Sequence, residues 1–148
     1  LSTITQGHFR LVSTELFDLL RAPVAPRFGT LRFYTEADES GTSPPLSRAE
    51  LALNESFFVA ESADYHLFRL PDYPSIINRG VRARKTHPDG DVSFPEYDSW
   101  LLFTFLSRTF IKVEIPIELC ADVWGGDLVG CENEEVVFWG YFVPDPPD

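Results

Sequence analysis

From Thr109 to Ile117 the chain alternates strictly, with Ile111, Val113, Ile115 and Ile117 at every second place and Phe110, Lys112, Glu114 and Pro116 between them. A repeat of two is that of a half-buried β-strand, whose successive side chains point to opposite faces. Other short runs bounded by turn residues read the same way. Strands are expected at Ile4–Val12, Arg27–Tyr34, Phe57–Glu61, Tyr65–Leu70, Trp100–Leu106 and Val136–Val143. The last is apolar on both faces, which makes it a central strand or part of an interface. Pro116 donates no ladder hydrogen bond and so belongs near an edge or strand end. His87-Pro88-Asp89-Gly90-Asp91 is a strong turn signal that joins Val81–His87 and Asp91–Phe94 as a hairpin.

Thirteen Phe, five Tyr and three Trp support a β-rich core, because aromatic side chains suit pleated, half-buried surfaces. Two stretches carry helix signals instead. Ser13 or Thr14 can cap a short helix reaching Leu20, with Glu15 and Asp18 near its start and Pro23 beyond its end. Ser47 with Glu50 forms a capping box that predicts a second short helix over 48–54. The 148 residues fit one domain of ordinary size, 1–148. The expected fold is β-rich α+β: an antiparallel sheet, or a partly open barrel or sandwich, with two short helices in the N-terminal third.

Charge is unevenly spread. The chain carries 23 acidic and 12 basic residues, net −11, and residues 112–148 hold nine of the acids and one base. Clustered Lys and Arg are what nucleic-acid backbones require, so a nucleic-acid partner is not expected. The longest apolar stretches, Trp100–Leu106 and Val136–Val143, are far short of the ~20 residues that span a bilayer, and no membrane partner is expected. Met is absent even at position 1, as in a processed or trimmed chain.

Chemistry-bearing residues are few and isolated. His8 and the pair Asp64 and His66 stand alone, and the His87-x-Asp89-x-Asp91 run is sufficiently explained as a turn. Gly125 and Gly130 have phosphate-loop spacing, but Cys131 stands where the Lys should be. Asn54-Glu55-Ser56 fits a glycosylation acceptor. No cofactor and no metal site are expected. Cys120 and Cys131 flank Gly125-Gly126 symmetrically. A two-residue Gly-Gly hairpin would set them opposite one another with Cα atoms about 5.5 Å apart, inside the range of a disulfide. Two buried thiols are the alternative, and both readings stay open.

Surfaces offer more. Trp139 and Tyr141 share one face of the last strand, beside the acidic run Glu132, Glu134 and Glu135. Aromatic rings with acids nearby suit a Lys- or Arg-rich partner through cation–π contact and charge steering. The leading expectation is therefore a non-enzymatic, acidic protein-binding domain, of inhibitor or immunity type, that engages a basic protein. The alternative uses the basic island. Arg82 and Arg84 would share one strand face, and with His87 or His66 they could hold an anionic small molecule in a sheet-enclosed apolar pocket. A third reading is a structural subunit that pairs through its final strand.

Overall fold

The computed structural model describes residues 2–13, 15, 27–36, 46–54, 56–62, 67–86, 92–93, 98–125, 128 and 130–146. Nine strands are present among them: β1 Gly7–Val12, β2 Arg27–Glu36, β3 Leu46–Leu53, β4 Ser56–Glu61, β5 Arg79–Thr86, β6 Val92–Ser93, β7 Trp100–Phe105, β8 Phe110–Pro116 and β9 Glu135–Pro144. A 3-10 turn, Ser2–Gln6, precedes β1, and one α-helix, α1 Ile117–Trp124, lies between β8 and β9. The strands pair antiparallel in the order β4-β3-β2-β1-β9-β8-β7-β5, and β4 pairs with β5, closing an eight-stranded barrel. β6 extends the end of β5 as a short hairpin arm.

Alternation builds the barrel. Along β3 the side chains of Ser47, Ala49, Leu51 and Leu53 are buried while Arg48, Glu50 and Ala52 face out, and β8 repeats the pattern with Ile111, Val113 and Ile115 inward. The interior is dense in rings. Phe33 is fully buried, with Phe9, Phe68, Phe103 and Phe105 at centroid distances of 5.9, 6.4, 5.3 and 5.4 Å. Closure leaves the eight barrel strands no open edge, which removes the usual template for sheet-to-sheet aggregation.

The two barrel ends differ. At the loop end, Phe68 comes from the segment between β4 and β5 and is buried; Ser47 N–H donates to its carbonyl at 2.9 Å, and its own N–H donates to Ser62 Oγ at 2.7 Å. At the helix end, α1 buries Ile117, Leu119 and Cys120, and Ile117 N–H donates to Glu134 O at 2.8 Å.

Four expectations are overturned. The fold is a closed barrel with one α-helix among the described residues, rather than a β-rich α+β sheet or open barrel with two N-terminal helices. The stretch 48–54 lies in and just beyond β3: its helix-forming residues and capping box yield to pairing with β2 and β4, since tertiary context overrides propensity. The first expected helix lies outside the described residues, apart from its start. Residues 67–70 are not a strand, because the Ser47 and Ser62 bonds hold this stretch where Phe68 enters the core.

The Gly-Gly hairpin is replaced by α1. Gly125, at φ +63°, ends that helix and donates its N–H to Ala121 O at 2.7 Å. A glycine at positive φ stops a helix as readily as it makes a hairpin, and Ile117, Glu118, Leu119 and Ala121 are adequate helix residues.

Candidate binding surfaces

β9 passes through the middle of the sheet between β1 and β8. Val136, Phe138 and Gly140 point inward, so Glu135, Val137, Trp139 and Tyr141 lie on the outer side. The ring of Trp139 stacks on that of Phe110, with centroids 5.6 Å apart and planes inclined by 6°. Tyr141 stands opposite Phe110 on one side and Arg10 on the other, while Trp139 is flanked by Lys112 and Val12. Phe110 and Tyr141 are 39% and 40% exposed, which leaves an aromatic platform outside the barrel.

The acids do not ring that platform. Glu135 lies four residues back along β9, about 13 Å at the rise of a strand, and Glu132 and Glu134 lie further toward the helix end. All three are exposed, and none forms an ion pair with a described residue. The platform's charged neighbours are Arg10 and Lys112, and Lys112 Nζ is held 3.5 Å from Glu114. The face is thus graded, acidic at one end and aromatic at the other.

Arg82 and Arg84 share the outer face of β5, while Val81 and Ala83 fill the interior there. They therefore do not line an enclosed apolar pocket. Arg84 pairs with Glu61 on neighbouring β4, and Arg82 stands opposite Trp100. His87 and His66 lie outside the described residues. Among the described residues, no group of three His, Cys, Asp or Glu side chains could hold a metal, and no helix is long and apolar enough to cross a membrane.

A groove of about 370 Å³ escaped the sequence reading. It lies on the outer side of β2, β3 and β4 and is lined in part by Thr30, Arg32, Tyr34, Glu50, Phe57 and Val59. Arg32 donates through both terminal nitrogens to Asp145, at 3.0 and 2.9 Å. That hydrogen bonding raises the pKa of the guanidinium and lowers that of the Asp145 carboxyl. Burial raises the Tyr34 phenol above its ordinary value, helped by the charge of Glu50 and a hydrogen bond to it. Arg48 lies 4.8 Å over the Tyr34 ring and bridges Glu36 at 2.9 Å and Glu50 at 3.3 Å. The outward charges of these strands are visible in the sequence, but the register that joins them, with Arg32 opposite Glu50 and Tyr34 opposite Arg48, is not.

Cys120 and Cys131 are both thiols. Burial, with smaller effects from Glu15 and Glu118, pushes the Cys120 thiol up to about 12. The thiolate is the reactive form, so the native protein should take up iodoacetamide at Cys131 and spare Cys120, and the denatured protein should take it up at both. Peptide mass mapping checks this; equal labelling of the two in the native state would contradict the burial of α1.

No protein-family model, curated protein or solved structure matches this chain.

Proposed function

We propose that the chain is a non-catalytic binding domain that holds an extended basic segment of a protein partner along the outer face of β9. The observation that carries this reading is the Phe110–Trp139 stack, placed on the outside of a barrel whose interior is already packed with rings. Half-exposed aromatic rings are what interface anchors are made of, since they bury large area at little entropic cost. The anchor and the acids at Glu132, Glu134 and Glu135 are separated by a few residues of strand. A partner segment with an apolar anchor and Lys or Arg about four residues away matches both, and covering that segment would neutralise it.

A randomised peptide library selected on the wild-type protein tests this. Selected peptides should carry cationic residues offset from an aromatic or aliphatic one. Trp139→Ala should cost about 2 kcal/mol of binding, roughly thirtyfold. The double variant Glu134→Lys, Glu135→Lys should slow association more than it speeds dissociation, and added salt should do the same to wild type. Peptides that lack cations and bind both proteins equally would overturn the reading.

The groove on β2–β4 favours a second reading, a small-molecule site. Its Arg32 is already occupied by Asp145 and Glu50 adds negative charge, so the ligand it suits is neutral and ring-bearing rather than anionic. Phe57 supplies an exposed ring, and Tyr34 and Glu50 supply polar contacts. Nuclear magnetic resonance screening of neutral aromatic fragments should shift the amides of 30–34 and 57–59 in wild type and leave them unmoved in a groove-filling Val59→Trp variant. Shifts that persist in the variant would exclude this groove.

A further inference from the structure

The segment from Leu67 to Asn78 joins β4 to β5 at the loop end of the barrel, and it is held at several points. Phe68 is buried, Leu70 N–H donates to Ser47 Oγ at 2.9 Å, Ser75 N–H donates to Phe105 O at 2.9 Å, and Thr104 bonds the Asn78 side chain. Yet this tethered segment presents large apolar side chains to water: Leu67 is 51% exposed, Tyr73 80%, Ile76 87% and Ile77 63%. The Ser75 bond to Phe105 places Ile76 near Leu106, another exposed apolar residue at the same end. Single exposed apolar residues are ordinary; several on one anchored segment mark an interaction surface.

A second observation identifies the chemistry. A crevice of about 240 Å³ opens within the segment, lined by Arg69 and Arg79 together with the exposed Leu67 and Ile77. Neither arginine forms an ion pair with a described residue, and Arg69 Nε is buried without a hydrogen-bond partner among the described residues. Guanidinium forks of this kind suit the oxygens of a phosphate. Apolar side chains that project beside a cationic crevice complement a phospholipid surface: headgroup phosphate at the level of the arginines, acyl chains beyond them.

We propose that this loop end docks on an anionic phospholipid surface, with Tyr73, Ile76, Ile77 and Leu67 entering the interfacial layer and Arg69 and Arg79 holding a headgroup phosphate. This is docking on a bilayer, not crossing it, and it replaces the expectation of no membrane partner drawn from the lack of a spanning segment. The net charge of −11 is not concentrated here: of the acids described at this end, Glu36, Glu61 and Asp145 are each bridged to an arginine and Asp72 stands in the segment itself, while the acids of α1 and of 132–135 lie at the far end of the barrel. Strands of six to ten residues set the two ends roughly 20 Å apart or more, beyond the ~8 Å over which charges are felt at physiological salt.

Sedimentation with vesicles tests the proposal. The wild-type protein should pellet with vesicles of phosphatidylcholine and phosphatidylglycerol, bind pure phosphatidylcholine vesicles at least about tenfold less well, and be released by added salt. The double variant Ile76→Ser, Ile77→Ser should lose binding about tenfold or more while keeping the thermal unfolding midpoint of wild type, because both side chains are already in water. Arg69→Gln with Arg79→Gln should erase the preference for the anionic lipid.

Inorganic phosphate, as the free source of the same chemistry, should compete only weakly. Absence of pelleting with either vesicle would overturn the proposal, as would equal binding to both, or strong binding of inorganic phosphate without vesicle binding. A concentration-dependent dimer that the Ile76→Ser, Ile77→Ser variant abolishes, in a protein that ignores vesicles, would assign the surface to a second copy of the chain instead.

Discussion

A Phe33→Ala variant is expected to lose about 3–5 kcal/mol of folding stability, the range for truncating a buried phenylalanine. Phe33 is fully buried, and four other rings lie within 5.3–6.4 Å of its own, two of them edge-on at 82° and 72°. Each such pair adds about 0.5–1.5 kcal/mol beyond the area it buries, so the loss belongs toward the upper part of the range. The partners come from β1, β7 and the β4–β5 segment, on different sides of the barrel, and a cavity there cannot be closed by moving one strand. A domain of this size has about 5–15 kcal/mol in total, so the variant should unfold at a much lower urea concentration with an unchanged slope. Phe57→Ala serves as the control: it also removes a phenylalanine ring from a strand, but one that faces out of the barrel and is 56% exposed, and its midpoint should barely move. Equal effects of the two substitutions would mean that the ring cluster does not hold the barrel together.

The strands that bring those rings together were legible because alternation is a local property. β2, β4, β7, β8 and β9 lie where alternating or short continuous apolar runs are bounded by turn residues, within a residue or two at each end. β3 was not, because Leu46–Leu53 also satisfies a helical pattern of Leu, Ala, Arg and Glu; what decides it is the free sides of β2 and β4, which no local window contains. α1 was missed for the converse reason. Pro116 and Gly125 bracket it as a start and a stop, yet the glycine pair was equally good hairpin chemistry.

Surface composition was partly readable in the same sense. That Trp139 and Tyr141 share a face follows from period two, and so does the shared face of Arg82 and Arg84. Who stands beside them depends on register. Arg10 reaches Tyr141 across more than 130 residues of chain, Arg32 finds Asp145 at a separation of 113, and the acidic run that adjoins Trp139 in sequence is carried down the strand away from it. Exposure is the other hidden quantity. The exposure of Ile76 and Ile77 follows from the bond of Ser75 to Phe105, which fixes the segment along the barrel's end and which no local window contains.

Register also sets the second large effect, which a single methyl group should produce. Gly29 stands opposite Leu11 on β1 and Leu53 on β3, where the β1–β2 pairing shifts by a residue. A Cβ at this position would lie 2.1 Å from the carbonyl oxygen of Ala52 and 3.1 Å from its carbon. The obstacle is backbone, and relieving it requires β2 and β3 to separate by more than about 1 Å, enough to lengthen the ladder hydrogen bonds between them. In an open sheet an outer strand could swing away. Here β3 is tied to β4, and β4 to β5, so the displacement must be absorbed around the closed ring. Gly29→Ala should therefore cost about 3 kcal/mol, the upper part of the range for overpacking. Gly80→Ala meets the end of the Leu102 side chain at 3.2 Å, which can turn aside, and the Trp100 ring at an ordinary contact distance of 3.6 Å. Its small clash is offset by the reduced freedom of the unfolded chain, worth about 0.4–1 kcal/mol, and its urea midpoint should stay close to wild type. If the two alanine variants unfold at the same denaturant concentration, the close approach of β2 to β3 at Gly29, and with it the register of that side of the barrel, is wrong.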